Sequence, residues 1–344
     1  MKTALSLVLL TLFIGGSIYL FLQKPAPKKY LDLIVEAEPL DIKKGPTKVL
    51  FVGDIMLDRS IRRVIDEKGF DYILNDVRSI FTDKNLIIGN LEGTITENDS
   101  IAVINNKILH FTFATSTAAD LRRVGFDGVS LANNHTLDFY QAGFDETKDN
   151  LNKAGIFSYG HPLNNQNLSY IKVIDDKRFC FLGYHSLYNA STTNVINEIY
   201  RIRPNCDYLT VFSHWGIEYE DIESQDQRYQ AHAFVDAGAD LVIGAHPHVI
   251  QPIEIYNNKA IFYSLGNFIF DQDFSLKTRQ GIAVELSLDD KNQVFKIIPI
   301  EMYKGKLYFP ELESFQPRIN ILASELSSDL KKGIESNLLL NLNK

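Results

Sequence analysis

Asp54, Glu92, Asn134, His214, His246 and His248 each stand at or just past the end of a short apolar run. The runs are VLFVGD (49–54), LIIGNLEG (86–93), DGVSLANNH (127–135), YLTVFSHWG (208–216) and LVIGAHPH (241–248). Carboxylate, amide and imidazole donors without a thiolate suit a divalent cation such as Mn, Zn or Fe. One histidine at a strand end is most often just solvated, but five ends built alike argue for a shared centre. His246 and His248 flank Pro247; in an extended segment residues i and i+2 point the same way, so both imidazoles are expected to face one site.

A cation held there lowers the pKa of bound water towards neutrality and offsets charge on a phosphoryl oxygen, which makes hydrolysis the natural chemistry. His135, next to Asn134, is placed to protonate a leaving oxygen, and Asp138 either orients that imidazole or caps a helix starting near residue 139. Arg59 either holds a substrate oxyanion or forms a surface pair with Asp66 or Glu67. Asn90 supports the ligands from the same run as Glu92. Glu218 and Glu220 are near enough to reach the site, but a solvated loop explains them, and His110, His161, His185 and His232 lack ligand-like spacing and read as structural.

Such residues converge only if strands carry them to one edge, as happens at the carboxyl ends of an open α/β sheet. The apolar runs read as buried strands, and helical spacing appears over 62–80, 117–124, 141–154 and 225–237, an alternation that predicts an α/β layered architecture. Hairpins are expected around Asp175-Asp176 and Asn257-Asn258, and an antiparallel pair over 281–288 and 294–302, so the sheet is mixed. Residues 319–344 read as a peripheral helix. The organisation expected is an anchor over 1–23, a linker over 24–46, a main domain over 47–310 and a peripheral extension over 311–344.

Lys+Arg 35 against Asp+Glu 43 leaves a formal charge of −8, which argues against nucleic acid as a partner. Cys180 and Cys206 are too few for a disulfide framework or a thiolate metal site, though a single bridge stays open. Residues 4–22 carry no charge and match the length of a membrane span. They end in bulky residues followed by Gln23-Lys24-Pro25, which favours an uncleaved anchor over a signal peptide. Lysines after the span outnumber the one before it, so the positive-inside rule alone would keep the domain in the cytoplasm.

VGDIMLDR, NLEGTIT, LANNHTLDF, SHWGIEY, GAHPHVIQP and YSLGNFIFD, in that order, resemble the capsule and poly-γ-glutamate synthesis family called CapA, itself similar to calcineurin-like metallophosphoesterases. The resemblance implies an αββα sandwich with two metal ions at the strand ends. Asp54 and His248 would hold one ion, Glu92 would bridge, and Asn134, His214 and His246 would hold the second, with His135 as proton donor and Asn267 behind the ligands. It also implies an extracytoplasmic domain acting on a cell-surface polymer or its phosphorylated precursor, alone or beside membrane synthase subunits. Met56 stands where the broader phosphoesterase pattern has a histidine, which leaves the first ion one ligand short. The alternative function is a metal-binding but non-hydrolytic subunit of a synthase or exporter. Cleavage of a γ-glutamyl amide is a third.

Overall fold

The computed structural model describes residues 45–103, 107–188, 191–290 and 292–343. Within it, residues 46–344 form one compact unit. In chain order the strands are β1 (Thr47–Ile55), β2 (Leu86–Leu91), β3 (Thr94–Ile95), β4 (Thr112–Phe113), β5 (Gly128–Ser130), β6 (Phe157–Tyr159), β7 (Ser169–Ile174), β8 (Lys177–His185) and β9 (Tyr208–His214). There follow β10 (Leu241–Ala245), β11 (Ile253–Tyr256), β12 (Lys259–Phe262), β13 (Asn267–Ile269), β14 (Gln280–Leu288), β15 (Asn292–Tyr303), β16 (Lys306–Tyr308) and β17 (Leu339–Asn343). The main helices are α1 (Arg59–Lys68), α2 (Thr117–Val124), α3 (Tyr140–Ala154), α4 (Thr192–Ile202), α5 (Gln225–Ala237), α6 (Leu312–Leu322) and α7 (Ser328–Asn337).

One sheet runs β16-β15-β14-β1-β2-β5-β6, with β13 added to β1 and β17 to β15; the other runs β11-β12-β10-β9-β8-β7. Both are mixed. β1, β2, β5 and β6 are parallel, as are β8, β9, β10 and β12, so the carboxyl ends within each set share an edge. Strand alternation builds the layers. Val49 and Phe51 of β1 face Phe179, Phe181 and Phe212 of the second sheet, while Leu50 and Val52 face Ile61, Leu121 and Phe144 of α1, α2 and α3. Leu182, Tyr184 and Val211 turn outward onto Val195 and Ile199 of α4 and Phe234 of α5. Two sheets face to face with helices outside both is a four-layered α/β/β/α arrangement.

Local chemistry accounts for most boundaries. Ser224 and Gln227 form a capping box that starts α5, and Gly238 at φ 120° ends it. Helical spacing over 62–80 breaks because Gly69, at φ 81°, closes α1 and leaves only a four-residue turn and a 3-10 segment behind it. Asn257 (φ 47°) and Asn258 (φ 60°) join β11 to β12 as a left-handed two-residue turn, so Asn257→Ala is expected to cost about 1 kcal/mol in chemical denaturation.

The C-terminal segment corrects its expectation. Residues 319–344 are not one peripheral helix: α6 and α7 are followed by β17, which pairs antiparallel with β15. Phe315, Ile319, Leu322, Ile334, Leu340 and Leu342 enter the core between the sheets. Their apolar side chains satisfy a strand period after residue 338 as well as a helical one before it, and Leu338, at φ 54°, makes the break.

Cys180 of β8 and Cys206, just before β9, are disulfide-bonded, and the bridge closes over the α4 crossover. Replacing both by serine is expected to cost about 3 kcal/mol, read as a lower urea midpoint. An unchanged midpoint would show that the bridge does not hold the fold.

Among the described residues no helix is long and apolar enough to cross a membrane. Residues 4–22, expected to be the anchor, lie outside the described residues.

Candidate metal centre

Asp54 is the last but one residue of β1, Asn90 lies in β2 with Glu92 just beyond it, Asn134 and His135 follow β5, His214 ends β9, and His246 and His248 follow β10. The parallel registers bring these ends together: Asp54 lies opposite Asn90 and Asn267, and His214 opposite Ala245 and His185. All six of the residues expected to hold a cation are in one place. Ligand atoms of Asp54, Glu92 and His214 lie within 4.8 Å of one another, and so do those of Glu218, His246 and His248.

Several contacts fix which atoms are free. Asn90 Nδ2 donates to Asp54 Oδ1 (2.8 Å), and Asn133 Nδ2 donates to Asn90 Oδ1 (3.1 Å), which sets the orientation of the Asn90 amide. Asn267 Nδ2 donates to Thr278 O (2.9 Å), so its Oδ1 accepts from His248 Nδ1 (2.9 Å). That leaves Nε2 of His248 bare, 3.8 Å from Glu92 Oε1. Fixing a ring through its far nitrogen is how proteins prepare a ligating imidazole. Asn267→Ala is therefore expected to weaken binding of Mn²⁺ about 10- to 100-fold by calorimetry.

Asn134 Oδ1 and His214 Nε2 are 2.8 Å apart, a hydrogen bond that keeps the amide oxygen and the imidazole together at the centre. Tyr188 holds the Asn134 loop through a hydrogen bond from its hydroxyl to the Asn134 carbonyl (2.8 Å).

The electrostatics call for positive charge. Glu92 is 1% exposed; burial, and then Asp54 and Glu218, push its carboxyl well above the usual range. Burial first, and neighbouring imidazoles second, hold His214 and His246 well below the usual histidine value, so both rings are neutral with lone pairs to give. Glu92 Oε2 and His246 Nδ1 are buried without a hydrogen-bond partner. Buried polar atoms left without a partner beside carboxylates fit divalent cations held at this place.

The turn carrying the two histidines differs from the extended segment expected. His246 (φ 93°) and His248 (φ 57°) are both left-handed, and Pro247 O accepts from Tyr219 N (2.8 Å). Their rings still converge, with centroids 5.8 Å apart. Non-glycine residues held at positive φ mark positions where a site imposes strain.

His135 Nδ1 is 2.9 Å from Asp138 Oδ2, which also accepts from Phe111 N (2.7 Å). Asp138 therefore orients the imidazole and does not cap α3, whose N-cap is Phe139 with no side-chain bond. Arg59 pairs with Asp271 rather than with Asp66 or Glu67, and its guanidinium lies over the rings of Phe111 (5.1 Å) and Phe270 (5.5 Å). Met56 is buried among Ile55, Leu57 and Ile61 on the helix side, away from the donors. Trp215 packs beneath the site and donates to Tyr263 O.

Two residues gain a place the sequence did not give them. Glu218, read as a solvated loop residue, brings a carboxylate to His246 and His248; its spacing four residues after His214 was the available signal. His185 ends β8 with its ring 5.8 Å from that of His214, and burial holds its pKa down to about 4. His161 and His232 lie elsewhere, the first beside Phe144 and the second against Glu254 and Tyr256.

A four-layered α/β fold with carboxylate, amide and imidazole side chains gathered at parallel strand ends defines a class of proteins in which distant loops supply one shared site. Within that class, the chain belongs to the family described as bacterial capsule synthesis protein PGA_cap, whose family model matches residues 48–272. It is similar to the PGA biosynthesis protein CapA of Bacillus subtilis (strain 168), at 32% identity over 306 residues, covering 82% of this chain and 76% of that one. The capsule biosynthesis protein CapA of Bacillus anthracis is 28% identical over 304 residues, 82% and 73% of the two chains. A probable polyglutamine synthesis accessory protein of Mycobacterium tuberculosis is 26% identical over 211 residues, 54% and 55% of the two chains.

Proposed function

We propose that this family member is a metal-dependent phosphoester hydrolase in the synthesis of a capsule, poly-γ-glutamate or another cell-envelope polymer. The observation that carries the reading is the meeting of Asp54, Glu92, Asn134, His214, His246 and His248, with Glu92 Oε2 and His246 Nδ1 left without protein partners. Its likeness to calcineurin-like metallophosphoesterases supports the phosphoester bond as target. Mn, Zn or Fe suits this donor set, and would supply a water acidic enough to attack at neutral pH.

The remaining work falls to the chain. Asp138 accepts a hydrogen bond from Nδ1–H of His135, which leaves the Nε2 of that ring 3.9 Å from Glu92 Oε1. With both ring nitrogens protonated, Nε2–H gives its proton to the departing oxygen and the ring returns to its neutral Nδ1–H form. Arg59, whose Nε is buried without a partner, stands beside the pocket as the donor for a phosphoryl oxygen.

The domain works outside the cytoplasm, tethered by residues 4–22. The Cys180–Cys206 bridge supports that side, because such bonds persist in oxidising compartments. Protease applied to intact cells should digest the domain; full protection that ends on lysis would overturn the placement.

The decisive measurement is metal content and turnover of an aryl phosphate by the purified full chain, before and after chelation and re-addition of Mn²⁺. Turnover lost with the metal and restored with it supports the hydrolase. Stoichiometric metal without turnover on phosphate would instead support a non-hydrolytic synthase subunit, a reading that Met56 favours by removing one imidazole from the centre.

A further inference from the structure

The cleft over the centre, of about 210 Å³, has a wall whose character the proposed reaction does not use. From the mouth inward, rings touch in an unbroken series. Phe274 meets Tyr219 at 5.4 Å, Tyr219 meets His248 at 6.2 Å, His248 meets Phe270 at 4.7 Å, Phe270 meets Phe111 at 6.3 Å, and Phe111 meets His135 at 4.3 Å. The series joins a residue that faces the centre to one that is 68% exposed, and Leu109, 53% exposed, lies across the mouth. Large apolar side chains left in water around a polar centre mark a surface built to be covered.

Charge identifies what covers it. The lining holds three carboxylates, Glu92, Glu218 and Asp271, against one guanidinium, Arg59, which Asp271 already pairs. Nearby Lys277 donates to Tyr219 O and, with Arg318, faces Asp221. With Arg59 given to the phosphate, a polyglutamate chain, with a carboxylate on every residue, would find no further guanidinium or ammonium in the lining. An apolar chain would find rings.

We propose that the cleft binds a phosphate ester whose organic part is an apolar chain, the chemistry of a lipid-linked precursor, with its first carbons against Phe270, Tyr219 and Phe274. This rests on the hydrolase reading for the position of the phosphate, but its test does not need turnover. The cleft is smaller than the roughly 300 Å³ at which most enclosed ligand sites begin, so only the head and the first carbons enter, and the rest lies on the exposed rim.

Methyl-, butyl- and octylphosphonate, which are not hydrolysed, would be titrated by calorimetry into the full chain held in amphipol and loaded with Mn²⁺. Affinity should rise about 3-fold per methylene from methyl to butyl and more slowly to octyl. Phe274→Ala together with Leu109→Ala should flatten that slope, whereas Tyr200→Ala, an exposed residue on α4, should leave it intact. Equal affinity for all three phosphonates, or tighter binding of an oligo-γ-glutamate than of octylphosphonate, would overturn the inference. A rising slope in a protein that turns over no phosphate would keep the inference and reject the hydrolase.

Discussion

Asn134→Ala and His246→Ala are each expected to lower metal-dependent kcat/KM on an aryl phosphate by about 10³-fold or more, with bound metal reduced in parallel. The magnitude follows from what a cation contributes to a phosphoryl transition state, about 4 kcal/mol, which is about three decades of rate. Asn134 Oδ1 is 2.8 Å from His214 Nε2, so its removal takes away one donor and leaves that ring nitrogen without its partner. The obvious objection is that a buried variant has merely unfolded. His246 offers a way to separate the two effects, because its φ of 93° costs a histidine but not a glycine. The metal-free His246→Gly variant is expected to be about 1 kcal/mol more stable than His246→Ala in urea, because both lose the ring but only alanine pays for the φ of 93°, while losing activity as His246→Ala does. Gain of stability over alanine with equal loss of turnover would place His246 in the machinery. Retained metal and turnover in either His246 variant would remove it from the centre.

That trade also marks where the sequence was readable. Strands whose two faces are both buried, such as β1 and β9, appear as continuous apolar runs, and the polar residues that interrupt them are the site itself. Asp54, Glu92, Asn134 and His214 could be read for that reason: one donor at the end of a buried run is ordinary, and several ends built alike argue for a shared centre. Pro247 suggested rigidity between His246 and His248, but the left-handed backbone on both sides is set by tertiary contacts such as Tyr219 N to Pro247 O, which no local pattern encodes. Glu218 escaped for a related reason. It lies in a loop of acidic residues, where composition speaks for solvent, and only the fold carries it across to the imidazoles. The C-terminal strand β17 escapes because its short strand period follows directly on a helical one, and its partner β15 lies more than thirty residues earlier, where no local pattern points to it. Arg59 shows the same limit. Its neighbours in sequence offered Asp66 and Glu67, yet the fold supplies Asp271 and two aromatic rings.

His135→Ala should behave unlike the ligand variants, lowering kcat by about 10²- to 10⁴-fold while leaving bound metal unchanged. The distinction comes from geometry. His135 Nδ1 is engaged by Asp138 and its Nε2 stops 3.9 Å from Glu92 Oε1, so the ring borders the donors without completing either group of them. If its task is to protonate the leaving oxygen, the loss should depend on how much that oxygen needs the proton. A nitrophenyl phosphate, whose leaving group departs as a stable anion, should be hydrolysed by His135→Ala with a small deficit. An alkyl phosphate, whose alkoxide is a poor leaving group, should show the full one. Asp138→Asn should reproduce the same dependence more weakly, since the amide can still accept at Oδ1 but no longer stabilises the charged ring. A deficit equal for both substrates would show that His135 binds rather than protonates. Loss of metal along with activity would make it a ligand instead.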